Sequence, residues 1–176
     1  VTAHVLEALG KLGYDRTTLA INRAYQYIRS EQEDDGAWFG RWGVNYIYGT
    51  GAVLPAMQAI GEDMSQLYIQ RAVEWLRIHQ NPDGGWGESC GSYVDPALRG
   101  KGESTPSQTA WALLSLIAAG ISHDICTIRG FQFLCAKQNE TGTWDEPYYT
   151  GTGFPGYGLG ERIKKLPSQG QQGYQG

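Results

Sequence analysis

The sequence predicts an all-α fold, an α/α barrel (toroid) of helical hairpins of which this chain supplies three pairs, about half of a six-pair ring. The first observation behind this is a block that occurs three times without a gap, as RAYQYIRSEQEDDGAW (23–38), RAVEWLRIHQNPDGGW (71–86) and RGFQFLCAKQNETGTW (129–144). The second is the spacing of apolar residues inside the blocks. Ile21, Ala24, Tyr25 and Ile28, and likewise Ile69, Ala72, Val73 and Leu76, run i, i+3, i+4, i+7, the period of an amphipathic helix. The third is that each block ends in Q-x-x-x-G-x-W, where glycine stops the helix and a Trp follows at once.

Taken in chain order, Val5 to Leu12 is an apolar-periodic helix, and the first repeat forms its partner. Ala52 to Ile60 pairs in the same way with the second repeat, and Thr109 to Ala119 with the third. Ser104, Thr105 and Pro106 supply the cap and first-turn signal ahead of that fifth helix. The repeated Gln32, Gln80 and Gln138 are expected to close orphan backbone groups at helix ends, with Trp38, Trp86 and Trp144 covering them and tying each pair to the next. Loops rich in Gly and aromatics (39–48, 87–93 and 145–157) should gather at one end of the stack. After Gly156 the text ends in PSQGQQGYQG, which buries almost nothing, so 157–176 reads as a disordered Gly/Gln tail.

Composition narrows the function classes. Of 176 residues 41% are hydrophobic, enough for one sizeable core, and the net charge is −4 with no Lys/Arg cluster, which excludes a nucleic-acid partner. No apolar run approaches the roughly 20 residues of a membrane span, leaving only peripheral membrane contact. Cys90, Cys126 and Cys135 are odd in number and lack CxxC spacing, which fits a reducing setting without a disulfide framework or a zinc site. The chain opens at Val1 inside a helical pattern and is expected to be a piece of a longer protein.

Trp42, Tyr46, Tyr48, Tyr148, Tyr149 and Phe154 lie outside the repeated positions, and aromatic faces lining a cavity bind greasy ligands and stabilise cations. Glu33, Asp34 and Asp35 read as a solvated turn, and Asp145 and Glu146 as loop residues. His4, His79 and His123 have no partner pattern of their own, and G-x-S-x-G, H-E-x-x-H and P-loop spacings are absent.

The Q-x-x-x-G-x-W repeats, with QNPDGGWGE (80–88), STPSQTAWALL (104–114), GRWGVNYIYGTG (40–51) and DEPYYTGTGFPG (145–156), resemble the bacterial squalene-hopene cyclases over residues 1–156. The resemblance implies the C-terminal part of the cyclase α/α barrel, with the remainder upstream in the same protein. It implies that an Asp of a D-x-D-D motif protonates the end of squalene, or a similar linear polyprene. A carbocation cascade then gives hopene or hopanol, an isomerase-type reaction of hopanoid biosynthesis needing no metal or other cofactor. In that scheme His4 of TAHVLE pairs with the acid, Tyr48 helps position or reprotonate it, and Trp42 and Phe154 stabilise cations. The QW residues brace the barrel. The resemblance further implies a cytoplasmic location, with peripheral or monotopic membrane association that belongs to the parent protein.

No D-x-D-D occurs in this chain, and the text after GTGFPG departs from the family's aromatic-rich helix, so the segment alone is expected not to cyclise squalene. An incomplete barrel also exposes an apolar face, which favours homodimerisation. The alternative reading is a non-catalytic α/α-repeat module that binds an apolar ligand or a protein partner.

Overall fold

The computed structural model describes residues 1–151; Phe154 and the tail at 157–176 lie outside the described residues. Among the described residues the chain forms α1 (Thr2–Lys11), α2 (Leu19–Ser30), α3 (Tyr46–Ala59), α4 (Leu67–Ile78), α5 (Pro106–Ala118) and α6 (Ile125–Lys137). Short 3-10 turns at Cys90–Tyr93 and Pro96–Leu98 interrupt the long connection between α4 and α5. The inner helices α1, α3 and α5 pack side by side, and α2 and α6 lie against α1 and α5 from outside, the arrangement of an α/α barrel half.

Local side-chain caps account for the starts of the last two helices. Thr105 caps α5 by accepting a hydrogen bond from the Gln108 amide, with Pro106 in the first turn, and Asp124 caps α6 through the Cys126 amide. α3 begins at Tyr46, six residues before the periodic stretch that starts at Ala52. Ten of its 14 residues are buried, so no polar face exists to give a period. Its glycines permit close contact: a Cβ on Gly51 would meet the Cβ and backbone of Trp111 on α5.

The three Q-x-x-x-G-x-W turns share one geometry. Gly36, Gly84 and Gly142 hold φ of 102°, 89° and 84°, a region that side-chain-bearing residues rarely adopt. The indole Nε1 of Trp38, Trp86 and Trp144 donates to a carbonyl ten residues back, at Ile28, Leu76 and Leu134, at 2.7–2.8 Å. The Gln amide donates to the carbonyl of its own turn glycine, at 2.8 Å for Gln32 and Gln80 and 2.9 Å for Gln138. In the first two copies the same nitrogen also donates to the next outer helix, Gln32 to Tyr68 O at 2.8 Å and Gln80 to Cys126 O at 2.7 Å.

Each seam has a return contact from the Arg that opens the next repeat. Arg71 donates to the carbonyls of Glu33 and Asp34, and Arg129 to those of Asn81 and Pro82. Glu33 and Asp35, read from sequence as a solvated turn, belong to the same seam. Glu33 pairs with Arg99 at 3.1 Å, and Asp35 accepts from the Trp75 indole at 3.1 Å. Between α3 and α4, buried Glu62 accepts from Tyr68 at 2.7 Å and Arg16 at 3.1 Å. Burial opposes its ionisation, but the Tyr25 and Tyr68 hydroxyls, the Asp63 amide and Arg16 hold its carboxyl below the ordinary range. The third turn has no following repeat among the described residues, and Trp144 is 42% exposed where Trp38 is 3% and Trp86 0%.

Truncating Trp86 in the sealed middle copy should therefore cost about 3–5 kcal/mol. The same change at half-exposed Trp144 should cost about half as much or less. Chemical denaturation of Trp86→Ala and Trp144→Ala measures the difference, and equal losses would contradict the seam asymmetry.

Candidate functional site

The loop from Phe39 to Asn45 and the first turn of α3 form one end of the half-barrel, and glycine sets their shape. A Cβ on Gly40 or Gly43 would run into the ring of Tyr48, so these positions let the loop lie flat against that phenol. Gln108 of α5, fully buried, fixes the loop from below. Its Nε2 donates to Val44 O at 2.9 Å and Glu88 O at 3.1 Å, and its Oε1 accepts from Glu88 N at 3.0 Å and Thr105 Oγ1 at 2.9 Å.

Glu88 then caps α3 from another repeat. Its Oε2 accepts from Asn45 N at 3.1 Å and Ile47 N at 2.9 Å, taking the place of the side-chain cap that α3 lacks. A carboxylate there also faces the positive end of the helix dipole. Burial pushes the Glu88 carboxyl above its usual range, against the lowering effect of those amides. The Ser92 hydroxyl and the Gly100 amide add to that lowering effect.

The helix so anchored carries Tyr48. Its hydroxyl lies 3.2 Å from Nε2 of His4 on α1, with ring centroids 5.9 Å apart, and which atom donates depends on the imidazole tautomer. Burial raises the Tyr48 phenol above its ordinary value, so it stays protonated at neutral pH. Tyr48 also meets Trp111 of α5 edge-on at 4.9 Å. Tyr48 and Trp42 line a single cleft of about 400 Å³ with Val1, Ala3, Tyr27, Phe39 and Trp38. Trp42 is exposed at its lip, and Arg41 sits over the indole at 5.3 Å, where a cation takes advantage of the ring quadrupole.

Of the residues singled out from sequence, Trp42 and Tyr48 line one open cleft, His4 is not part of its lining and meets Tyr48 from α1, and Phe154 lies outside the described residues. The loops cluster at one end as expected. Tyr93 donates to the Arg41 and Gly43 carbonyls, Val44 N donates to Thr150 O at 2.8 Å, and Tyr148 bonds Glu103. His79 is structural, with Nδ1 2.7 Å from Trp75 O and its ring 4.2 Å from that indole. Glu88, Gln108, Trp111 and Arg41 were not read from sequence as parts of the site. The GWGE and STPSQ text held the first two, but their partners lie 20 to 64 residues away. Among the described residues no group of His, Cys, Asp and Glu is placed to hold a metal, and no helix is long and apolar enough to cross a membrane.

Comparison with known proteins adds relatives to this geometry. Residues 1–159 match the family described as squalene-hopene cyclase C-terminal domain. The squalene-hopene cyclase of Alicyclobacillus acidocaldarius is 66% identical over 156 residues, covering 89% of this chain and 25% of that protein. That of Schizosaccharomyces japonicus is 52% identical over 88% of this chain and 24% of its own length. Dammaradiene synthase of Dryopteris crassirhizoma is 43% identical, again over 88% of this chain and 26% of the relative. The chain thus spans about a quarter of the length of the curated relatives it matches. Among solved structures, ent-copalyl diphosphate synthase from Streptomyces platensis superposes with a TM-score of 0.60 at 22% identity, over 82% of this chain and 27% of that one, a likeness of fold.

Glu88 gives the site a pH signature. At low pH the carboxyl is protonated in both states. As pH rises past its ordinary 4.5 the unfolded chain ionises first, so stability falls with pH until the raised folded value is passed. Glu88→Gln keeps an acceptor for both amides and should remove this fall of the thermal midpoint as pH rises above 4.5. Melting curves recorded across that range test this, and a variant with the wild-type slope would move the dependence to another group.

Proposed function

The chain belongs to the squalene-hopene cyclase family, and from that membership we propose that it forms the C-terminal part of the barrel of a class II triterpene cyclase acting on squalene or a similar linear polyprene. The observation that carries the reading is the His4–Tyr48 pair at the edge of an aromatic cleft open toward the first helix of the chain. In this reading the acid lies in the upstream part of the parent protein, since no D-x-D-D lies here. In this reading His4 meets that carboxyl and, by hydrogen bonding it, favours delivery of its proton to the terminal double bond.

Tyr48, held protonated by burial, orients the imidazole and relays a proton back to the acid after turnover. Trp42, at the lip of the cleft, offers its ring face to an early carbocation, and Phe154 does the same later in the cascade. The skeleton closes by forming carbon–carbon bonds from the alkene electron pairs. Loss of a proton from the last cation gives the hydrocarbon, and addition of water gives the alcohol. Substrate and product hydrocarbon then have the same atoms, which is isomerase chemistry. Peripheral attachment to a membrane, where such a substrate dissolves, belongs to the parent protein in the same reading.

A chimera tests this. Residues 1–156 replace the aligned segment of the Alicyclobacillus acidocaldarius enzyme, and squalene turnover is followed by gas chromatography. The chimera should cyclise squalene, the 176-residue chain alone should not, and His4→Ala in the chimera should lower kcat by about 10²-fold or more. A folded chimera without product, or one indifferent to His4→Ala, would sink the assignment.

A further inference from the structure

One side chain breaks the repeat where the first glycine-rich loop meets α3. Thr50 and Thr109 hold the same register on α3 and α5, since each Oγ1 accepts from the backbone amide of its repeat's Trp, Trp38 N at 3.1 Å and Trp86 N at 2.9 Å. The residue just before that Thr is Gly49 in α3, where a Cβ would strike the backbone of Trp38 and Phe39. In α5 it is Gln108. The repeat itself therefore asks for no long polar side chain at this register. The one that α5 carries is fully buried, and both hydrogens of its amide and both lone pairs of its oxygen are used.

None of those bonds belongs to a seam between outer helices. Three of the atoms involved lie at Val44 and Glu88, and these two residues control the surroundings of Tyr48. Val44 follows Gly43, which lies flat against the phenol ring, as does Gly40. Asn45 Oδ1 closes the same loop by accepting from Gly40 N at 3.1 Å. The Glu88 carboxylate accepts from the Asn45 and Ile47 amides, which fixes the start of the helix that bears Tyr48. Trp111, three residues along α5 from Gln108, meets the phenol edge-on.

We propose that Gln108 is a positioning residue for the His4–Tyr48 pair: it sets where the loop and the first turn of α3 stand, and through them holds the Tyr48 hydroxyl against Nε2 of His4. That contact is 3.2 Å long. A retreat of a few tenths of an ångström takes it beyond hydrogen-bond reach, so small shifts of the loop decide it. The placement is a property of this chain alone. Its consequence for turnover rests on the reading that His4 and Tyr48 serve the proton step of cyclisation.

Two measurements keep placement and turnover apart. The chain has three histidines, so their ring nitrogen NMR shifts in mildly alkaline buffer can be assigned by substitution. Tyr48→Phe shows what His4 reports without the hydroxyl. Gln108→Met, which removes all of the side chain's hydrogen bonds, should carry the His4 signal to the Tyr48→Phe position and leave His123, on the turn before α6, where it stands in the wild type. Gln108→Glu keeps the acceptor and loses the donors, so it should act in the same direction if the Met variant does not fold. A folded variant with the wild-type His4 signal would overturn the proposal.

In the chimera with the Alicyclobacillus acidocaldarius enzyme, Gln108→Met should lower kcat for squalene about 10- to 100-fold with KM little changed. Made in a Tyr48→Phe background, the same substitution should cost almost nothing further, because the group it positions is gone. Equal losses in both backgrounds would make Gln108 a merely structural residue and overturn the proposal. A chimera without product counts against the cyclase reading, and the His4 signal then decides the placement by itself.

Discussion

One side-chain amide holds each repeat to the next. A Gln Nε2 has two hydrogens, and in the first two copies they are divided between the carbonyl of its own turn glycine and a carbonyl of the following outer helix. The sequence suggests that this Gln closes orphan carbonyls at helix ends, but it ties a turn carbonyl to one in the first turn of the next outer helix, and it is the Trp indoles that reach last-turn carbonyls. The glycine beside it holds a positive φ and has no Cβ, so the next helix comes within reach of that amide. The Trp indole then covers the junction and donates back into the helix it came from. With any of these parts missing, the outer helices would stand apart and the inner ones would lose their common curvature.

The inner helices depend on a second polar arrangement at the loop end. Gln108 reaches two loops from α5, and Glu88 reaches the first amides of α3. Side chains with this many buried partners fix orientation, because a small rotation of α3 would leave amides and a carboxylate unpaired in a dry interior. Tyr48 lies within the first turn of that helix, so the position of its hydroxyl beside His4 is set by contacts from two other repeats.

The repeats, the turn glycines and the α5 cap were legible because each is a local pattern: a period, an offset, or a Thr-Pro start that the structure reproduces at Thr105. The start of α3 was not, since a helix buried on every side shows no polar face and YIYGTG has glycines where helix propensity asks for better formers. Glu33 and Asp35 resemble any charged turn in sequence, and only the stacking of the second repeat brings Arg99 and the Trp75 indole to them. His4 and Tyr48 are 44 residues apart, so their contact follows from the packing of α1 on α3 and has no signature in either segment. The resemblance to a family named both residues; the residues alone did not. Glu88 was missed for the opposite reason: inside GWGE it looks like an ordinary loop acid, and burial is what makes it different.

The site lies where the stack is least closed, and that location has a chemical consequence. A carbocation survives only if water is kept out, and aromatic faces stabilise it more strongly as the surroundings dry. Here Trp42 is exposed, and Arg41 already places a positive charge over its ring, so in this form the indole faces solvent and a guanidinium. Covering the end that bears Val1, Tyr27 and Trp42 would change the dielectric around that indole and around the Tyr48 phenol together. Because Tyr27 and Ile28 of α2 line the cleft, a repeat added beside α2 by the same seam contacts would also shut solvent out of it.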